Sequence, residues 1–186
     1  MDNMGFPRAD GSLWAGVFSF PDPVNEVSAR LVAGGVVLLG LIAIVFAQPW
    51  LTAVIACGFL ARVATGPTLS PLGQLVTRVI VPRLPLEPRP VPGPPKRFAQ
   101  AIGLTFSLTA AILALVLNLH TAGYVVLGAL VAAATLESVF GVCLGCIAFG
   151  QLMRIGVIPE EVCERCGDIW AGRRSLDARV PSADTR

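Results

Sequence analysis

The sequence predicts an all-α polytopic membrane protein with four transmembrane helices arranged as two hairpins. An amphipathic interfacial helix and a short cytosolic C-terminal helix complete the expected architecture. Three observations lead there. Charged residues are 14% of the 186-residue chain and mean hydropathy is +0.72, whereas a soluble domain carries roughly 25% charged residues. Long apolar runs recur, separated by Gly and Pro. The Lys and Arg residues avoid two of the intervening turns. The same composition excludes disorder over most of the length. A formal net charge of +2 gives no footprint for nucleic acid.

Residues 1–27 read as a cytosolic N-terminal tail. Asp2, Asp10, Asp22 and Glu26 interrupt it, so it lacks the apolar core of a signal peptide. Residues 28–66 form the first hairpin. The apolar run 31–47 is near the minimum for a crossing, Gln48-Pro49 turns the chain, and Trp50 suits an interface. The second run is shorter, and Arg62 is expected to snorkel to water at its end.

Residues 67–97 hold the interfacial helix and a proline-rich linker. Leu72, Leu75, Val76, Val79 and Ile80 recur at helical spacing opposite Gln74, Thr77 and Arg78, the pattern of a helix lying on a membrane. Prolines 82, 85, 88, 90, 92, 94 and 95 then predict an extended, semi-rigid segment.

Residues 98–154 form the second hairpin: an apolar span over 98–119, a turn at His120, and a continuous helix over 122–152. That last helix would be about 46 Å long, beyond the ~30 Å hydrocarbon core, so one end protrudes. Residues 155–172 form a cytosolic cysteine segment and 173–186 a disordered tail. The turns at Gln48-Pro49 and His120-Thr121 carry no Lys or Arg. The positive-inside rule therefore puts both termini in the cytosol, with the lipid bilayer as the chain's main partner.

Four of the five cysteines form two C-x-x-C pairs, Cys143/Cys146 and Cys163/Cys166. A short helix opened by Pro159, Glu160 and Glu161 and stopped by Gly167 would bring them together at the cytosolic face. Three chemistries are open to them: a catalytic dithiol that exchanges disulfides, a four-cysteine Zn2+ site fixing the tail to a non-enzymatic scaffold, or packed, inert thiols. On a continuous last helix both pairs lie towards helix C-termini, where the dipole opposes a thiolate.

Glu137 is the one acid within a predicted span. Intramembrane carboxylates are costly and commonly functional, so a small transporter using Glu137 is a further possibility, with Arg62 the candidate partner. A straight helix sets Glu137 about 120° from Cys143 and 180° from Cys146, poorly placed as their base. Gly141 and Gly145 would share its face as a G-x-x-x-G contact. Cys57 reads as a small buried residue and His120 as a solvated turn residue.

The runs 23–30 (PVNEVSAR), 66–73 (GPTLSPLG), 97–103 (RFAQAIG) and 141–146 (GVCLGC) resemble an uncharacterised bacterial family of four-helix membrane domains of unknown function. The resemblance spans roughly residues 21–172, with G-x-C-L-G-C its most specific part. It implies the bacterial inner (cytoplasmic) membrane. It also implies thiol or sulfur chemistry beside thioredoxin-like or rhodanese-like partners, which favours the redox reading over zinc.

Overall fold

A computed structural model describes residues 23–84 and 89–158. The tail helix expected from Pro159, the pair Cys163/Cys166 and both terminal tails lie outside the described residues.

The described chain is all-α apart from one two-stranded pairing. Helix α1 (Glu26–Val45) opens on Asn25, whose Oδ1 accepts from the Val27 amide at 3.1 Å, with Glu26 in the first turn. Both features suit a helix N-terminus. Ala47 takes a positive φ and Pro49 follows, which reverses the chain into α2 (Trp50–Thr65). Trp50 Nε1 donates to Gln48 Oε1 across this turn. Ser70 caps α3, accepting from Gly73 N, and Pro71 occupies its first turn. Helix α3 runs through Pro71–Gln74 and a wider π segment, Leu75–Ile80.

The apolar residues of this segment divide between the bundle and the outer surface. Val76 is buried and Leu72 packs on Gly35 of α1, while Leu75 and Val79 stay exposed. The helix is thus seated on the bundle by one edge.

The proline segment is anchored to the start of α1. Strand β1 (Val24–Asn25) pairs antiparallel with β2 (Pro90–Val91), in the register Val24↔Val91 and Asn25↔Pro90. The Glu26 amide donates to Arg89 O at 2.8 Å. Helix α4 then begins at Gly93, with prolines in its first turn, and its π continuation ends at Val116. Proline is accepted there because a first-turn N–H has no helical partner. This earlier start draws Lys96 into the helix. Asn118 takes a positive φ in the next turn, and α5 (His120–Phe140) follows.

Among the described residues three helices are long and apolar enough to cross a membrane: α1, α4 and α5, with mean hydropathies of 2.2, 1.9 and 1.7. Helix α2 is a shorter apolar helix. The chain is a membrane protein. Helices α1 and α2 are neighbours, as are α2 and α4, α4 and α5, and α5 and α1. Val36, Ala43, Leu51, Ile55, Phe59, Ala110, Leu127, Leu130, Val131 and Ala134 fill the space between them. The outward side chains are also apolar, Leu38, Val45, Leu60, Leu108 and Val125 among them. A surface of this kind is matched by lipid rather than water.

The last helix departs from the sequence reading. Residues 122–152 do not form one helix: α5 stops at Phe140, and α6 (Leu144–Arg154) starts afresh after a three-residue break. Gly141 sits in the left-handed region at φ +70°. Its amide donates to Glu137 O at 3.0 Å, and the Val142 amide to Leu136 O at 3.2 Å. This is a left-handed helix stop of the kind glycine permits at low cost. Gly141 and Gly145 therefore do not form one helical stripe.

Candidate thiol site

The break after Gly141 builds the site. Cys143 becomes the N-cap residue of α6, its carbonyl accepting from Ile147 N at 3.1 Å, and Cys146 lies in the first turn. The expectation that this pair falls at a helix C-terminus is overturned, because it assumed an unbroken helix. The unpaired amides of α6 now favour negative charge at Cys143.

Arg30 of α1 holds the other side of the break. Its Nη2 donates to Val139 O at 2.9 Å and to Ser138 O at 3.2 Å, closing carbonyls that the end of α5 leaves open. A Cβ at Gly141 would lie 3.4 Å from Arg30 Nη1 and 3.5 Å from Glu26 Oε1. Gly141→Ala is therefore expected to destabilise the protein by about 1–2 kcal/mol, the usual cost of forcing an L-residue left-handed. Gly141→Asn, which tolerates that conformation, should lose visibly less in thermal unfolding. Equal losses would contradict this account of the break.

Two contacts fix α6 against α4. A Cβ on Gly145 would lie 2.5 Å from both Cα and Cβ of Ala99, so only glycine admits this approach. Further along, the Phe98 and Phe149 rings meet edge to face at 5.6 Å. Phe149 is buried.

Helix α4 brings Lys96 to the same place, where its Nζ meets Glu137 Oε1 at 2.7 Å, with side-chain exposures of 8% and 21%. Lys96, not Arg62, is the ion-pair partner of Glu137. Sequence reasoning left Lys96 in the linker because it placed the helix start after the prolines. Arg62 does not snorkel. It is 3% exposed, with its guanidinium 4.3 Å from the Phe59 ring centroid, and it lies within electrostatic reach of Glu137. The straight-helix geometry that set Glu137 apart from the cysteines also fails, since both Lys96 and Glu137 act electrostatically on Cys143.

The two thiols are unequal. A hydrogen bond from the Cys146 thiol is the main cause holding the Cys143 pKa below its ordinary value; burial and Glu137 oppose it, and Lys96 assists. The Cys146 pKa is raised, first by that same bond and then by burial. The pair thus holds its first negative charge on Cys143 and its remaining proton on Cys146. Cys143 is buried and Cys146 partly exposed. Cys57 is exposed on α2 rather than buried.

Among the described residues no group of three or more His, Cys, Asp or Glu converges as a metal site. A four-thiolate site would need Cys163 and Cys166, which lie outside them. No curated protein and no solved structure matches the chain. A family model described as Domain of unknown function (DUF4395) matches residues 24–154, which include every described helix together with Cys143 and Cys146. The chain belongs to that family.

Proposed function

We propose that this chain crosses the cytoplasmic membrane four times and exchanges disulfides, through Cys143 and Cys146, with a soluble thioredoxin-like or rhodanese-like partner at the cytosolic face. The observation that carries this reading is the unequal dithiol at the N-terminus of α6, beside the Lys96–Glu137 pair.

The topology rests on charge. Arg30, Arg62, Lys96, Arg97 and Arg154 belong to the helix ends near the thiol site, while the turns around Gln48 and Asn118 carry no Lys or Arg. That asymmetry is the positive-inside pattern. At 16 residues, α2 spans about 24 Å, and a modest local thinning of the bilayer accommodates it.

In the proposed step the Cys143 thiolate attacks one sulfur of a partner disulfide. A mixed disulfide forms and the partner's other sulfur leaves as a thiolate, which takes up a proton. Cys146 then loses its proton and attacks Cys143 Sγ, releasing the partner's second sulfur. Two electrons pass to the partner, whose two sulfurs take one proton from Cys146 and one from water, and a Cys143–Cys146 disulfide remains. A dithiol at Cys163 and Cys166 is the proposed reductant that returns the Cys143–Cys146 disulfide to the thiol form, itself becoming a disulfide.

Membrane vesicles of both orientations test this reading. A charged maleimide should label reduced protein in inside-out vesicles and spare Cys143 and Cys146 in right-side-out ones. In the inside-out vesicles, oxidised thioredoxin should protect both thiols, and reduced thioredoxin should restore their labelling. One tightly held zinc ion, with thiols that react only after chelation, would overturn the exchange reading. Labelling from the opposite side would overturn the topology.

A further inference from the structure

The segment between α2 and the proline linker presents a surface that the thiol chemistry does not use. Beyond its π segment, α3 continues as a tight helical turn, Val81–Arg83. Sequence periodicity sets Arg78 opposite the apolar residues, but the structure places Arg78 on the exposed side together with Leu75 and Val79. Arg83 is exposed beside them, its Nη1 donating to Val79 O at 3.0 Å. Gly73 and Val76 are buried against the bundle instead. One outward face therefore carries two apolar side chains and two guanidinium groups.

Depth and charge indicate what covers this face. Leu72 packs on Gly35 of α1, and the adjacent Gly34 lies against Ser138, two residues before α5 stops at Phe140. Helix α3 thus starts at the level where a membrane-crossing helix ends. Hydrocarbon would not accept two guanidinium groups there, and water alone would leave Leu75 and Val79 without apolar contact. The headgroup layer accommodates both kinds of side chain, apolar groups towards the acyl chains and arginines at the phosphates. The carboxylates among the described residues are Glu26, beside Gly141, and Glu137, on Lys96. Among those residues neither carboxylate pairs with Arg78 or Arg83.

We propose that the outward face of α3 is a binding surface for anionic phospholipid, with Arg78 and Arg83 on the headgroup and Leu75 and Val79 against the first acyl methylenes. An arginine beside an anionic bilayer surface strengthens binding about fivefold, and two of them about 25-fold. A zwitterionic lipid carries the same phosphate, but its ammonium cancels the charge and leaves mainly the apolar contribution. Guanidinium groups suit phosphate oxygens by charge and by paired N–H donors. The surface belongs to α3 and does not depend on the thiol reaction.

Native mass spectrometry of the purified full-length protein tests this, with dioleoyl phosphatidylglycerol or dioleoyl phosphatidylcholine titrated into the detergent micelles. Wild-type protein should retain phosphatidylglycerol at lower lipid concentration than phosphatidylcholine. The double variant Arg78→Gln/Arg83→Gln should weaken phosphatidylglycerol binding more than about tenfold and leave phosphatidylcholine binding in place. Lysine at both positions should keep most of the preference, because the charge is kept. Leu75→Ser should weaken both lipids alike. Equal retention of the two lipids by wild-type protein overturns the proposal, and so does a preference that survives Arg78→Gln/Arg83→Gln. Displacement of the lipid by soluble glycerol phosphate would mark a phosphate site and overturn the lipid reading. Should the double variant fail to fold, Arg78→Gln alone replaces it and should cost about fivefold; an undiminished preference again overturns the surface. Cys143→Ser should keep the lipid preference, so this surface and the exchange reaction fail separately.

Discussion

Gly145→Ala is expected to destabilise the protein and slow thiol alkylation at neutral pH, whereas Gly150→Ala, on the same helix, does neither. In a helix interior alanine normally gains about 0.5–1 kcal/mol over glycine. At Gly150 nothing lies within 4 Å of the added methyl, so that gain should be realised. At Gly145 the methyl would stand 2.5 Å from the Cα of Ala99, and backbone cannot rotate aside as a side chain can. The helices must separate, at about 1–3 kcal/mol for overpacking of this kind. The separation also removes Cys143 from Lys96, which helps hold its thiolate. Alkylation by iodoacetamide at pH 7 should therefore slow in Gly145→Ala, with the rate recovering as pH rises. A matching gain in stability at both positions would sink the claim that Gly145 seats the site.

The parts of this molecule that were legible in the sequence follow from periodicity and composition. The apolar helices α1, α4 and α5 are long enough that no local feature overrides them. The site was only half legible. Cys143 and Cys146 stand out by spacing, but their electrostatic setting depends on one backbone torsion at Gly141. In a sequence, a glycine followed by valine within an apolar stretch reads equally well as a packing residue or a helix stop. The stop is chosen by tertiary contacts, with Arg30 closing the carbonyls of Ser138 and Val139 from α1. Lys96 was hidden for a similar reason. Pro94 and Pro95 look like the end of a linker, yet both are tolerated in the first turn of α4. The tie between β1 and β2 was invisible because a two-residue pairing carries no periodic signal.

Lys96→Met and Glu137→Gln should move the acidity of Cys143 in opposite directions. Lys96 lowers the Cys143 pKa and Glu137 raises it. The pH profile of Cys143 alkylation should therefore shift upward in Lys96→Met and downward in Glu137→Gln. A purely structural ion pair predicts something else: both variants would loosen the same contact and shift the profile alike. Stability separates the two residues again. Glu137→Gln leaves Lys96 and Arg62 buried with no described carboxylate beside them, and stranding a buried charge costs about 3–5 kcal/mol. Lys96→Met leaves Glu137 with Arg62 still in reach, so its loss should be smaller. The double variant removes both charges and should recover part of the Glu137→Gln deficit, giving a large coupling in the thermodynamic cycle. If the two single variants shift the alkylation profile in the same direction, the ion pair is scaffolding, and the acidity of Cys143 must come from α6 and Cys146 alone.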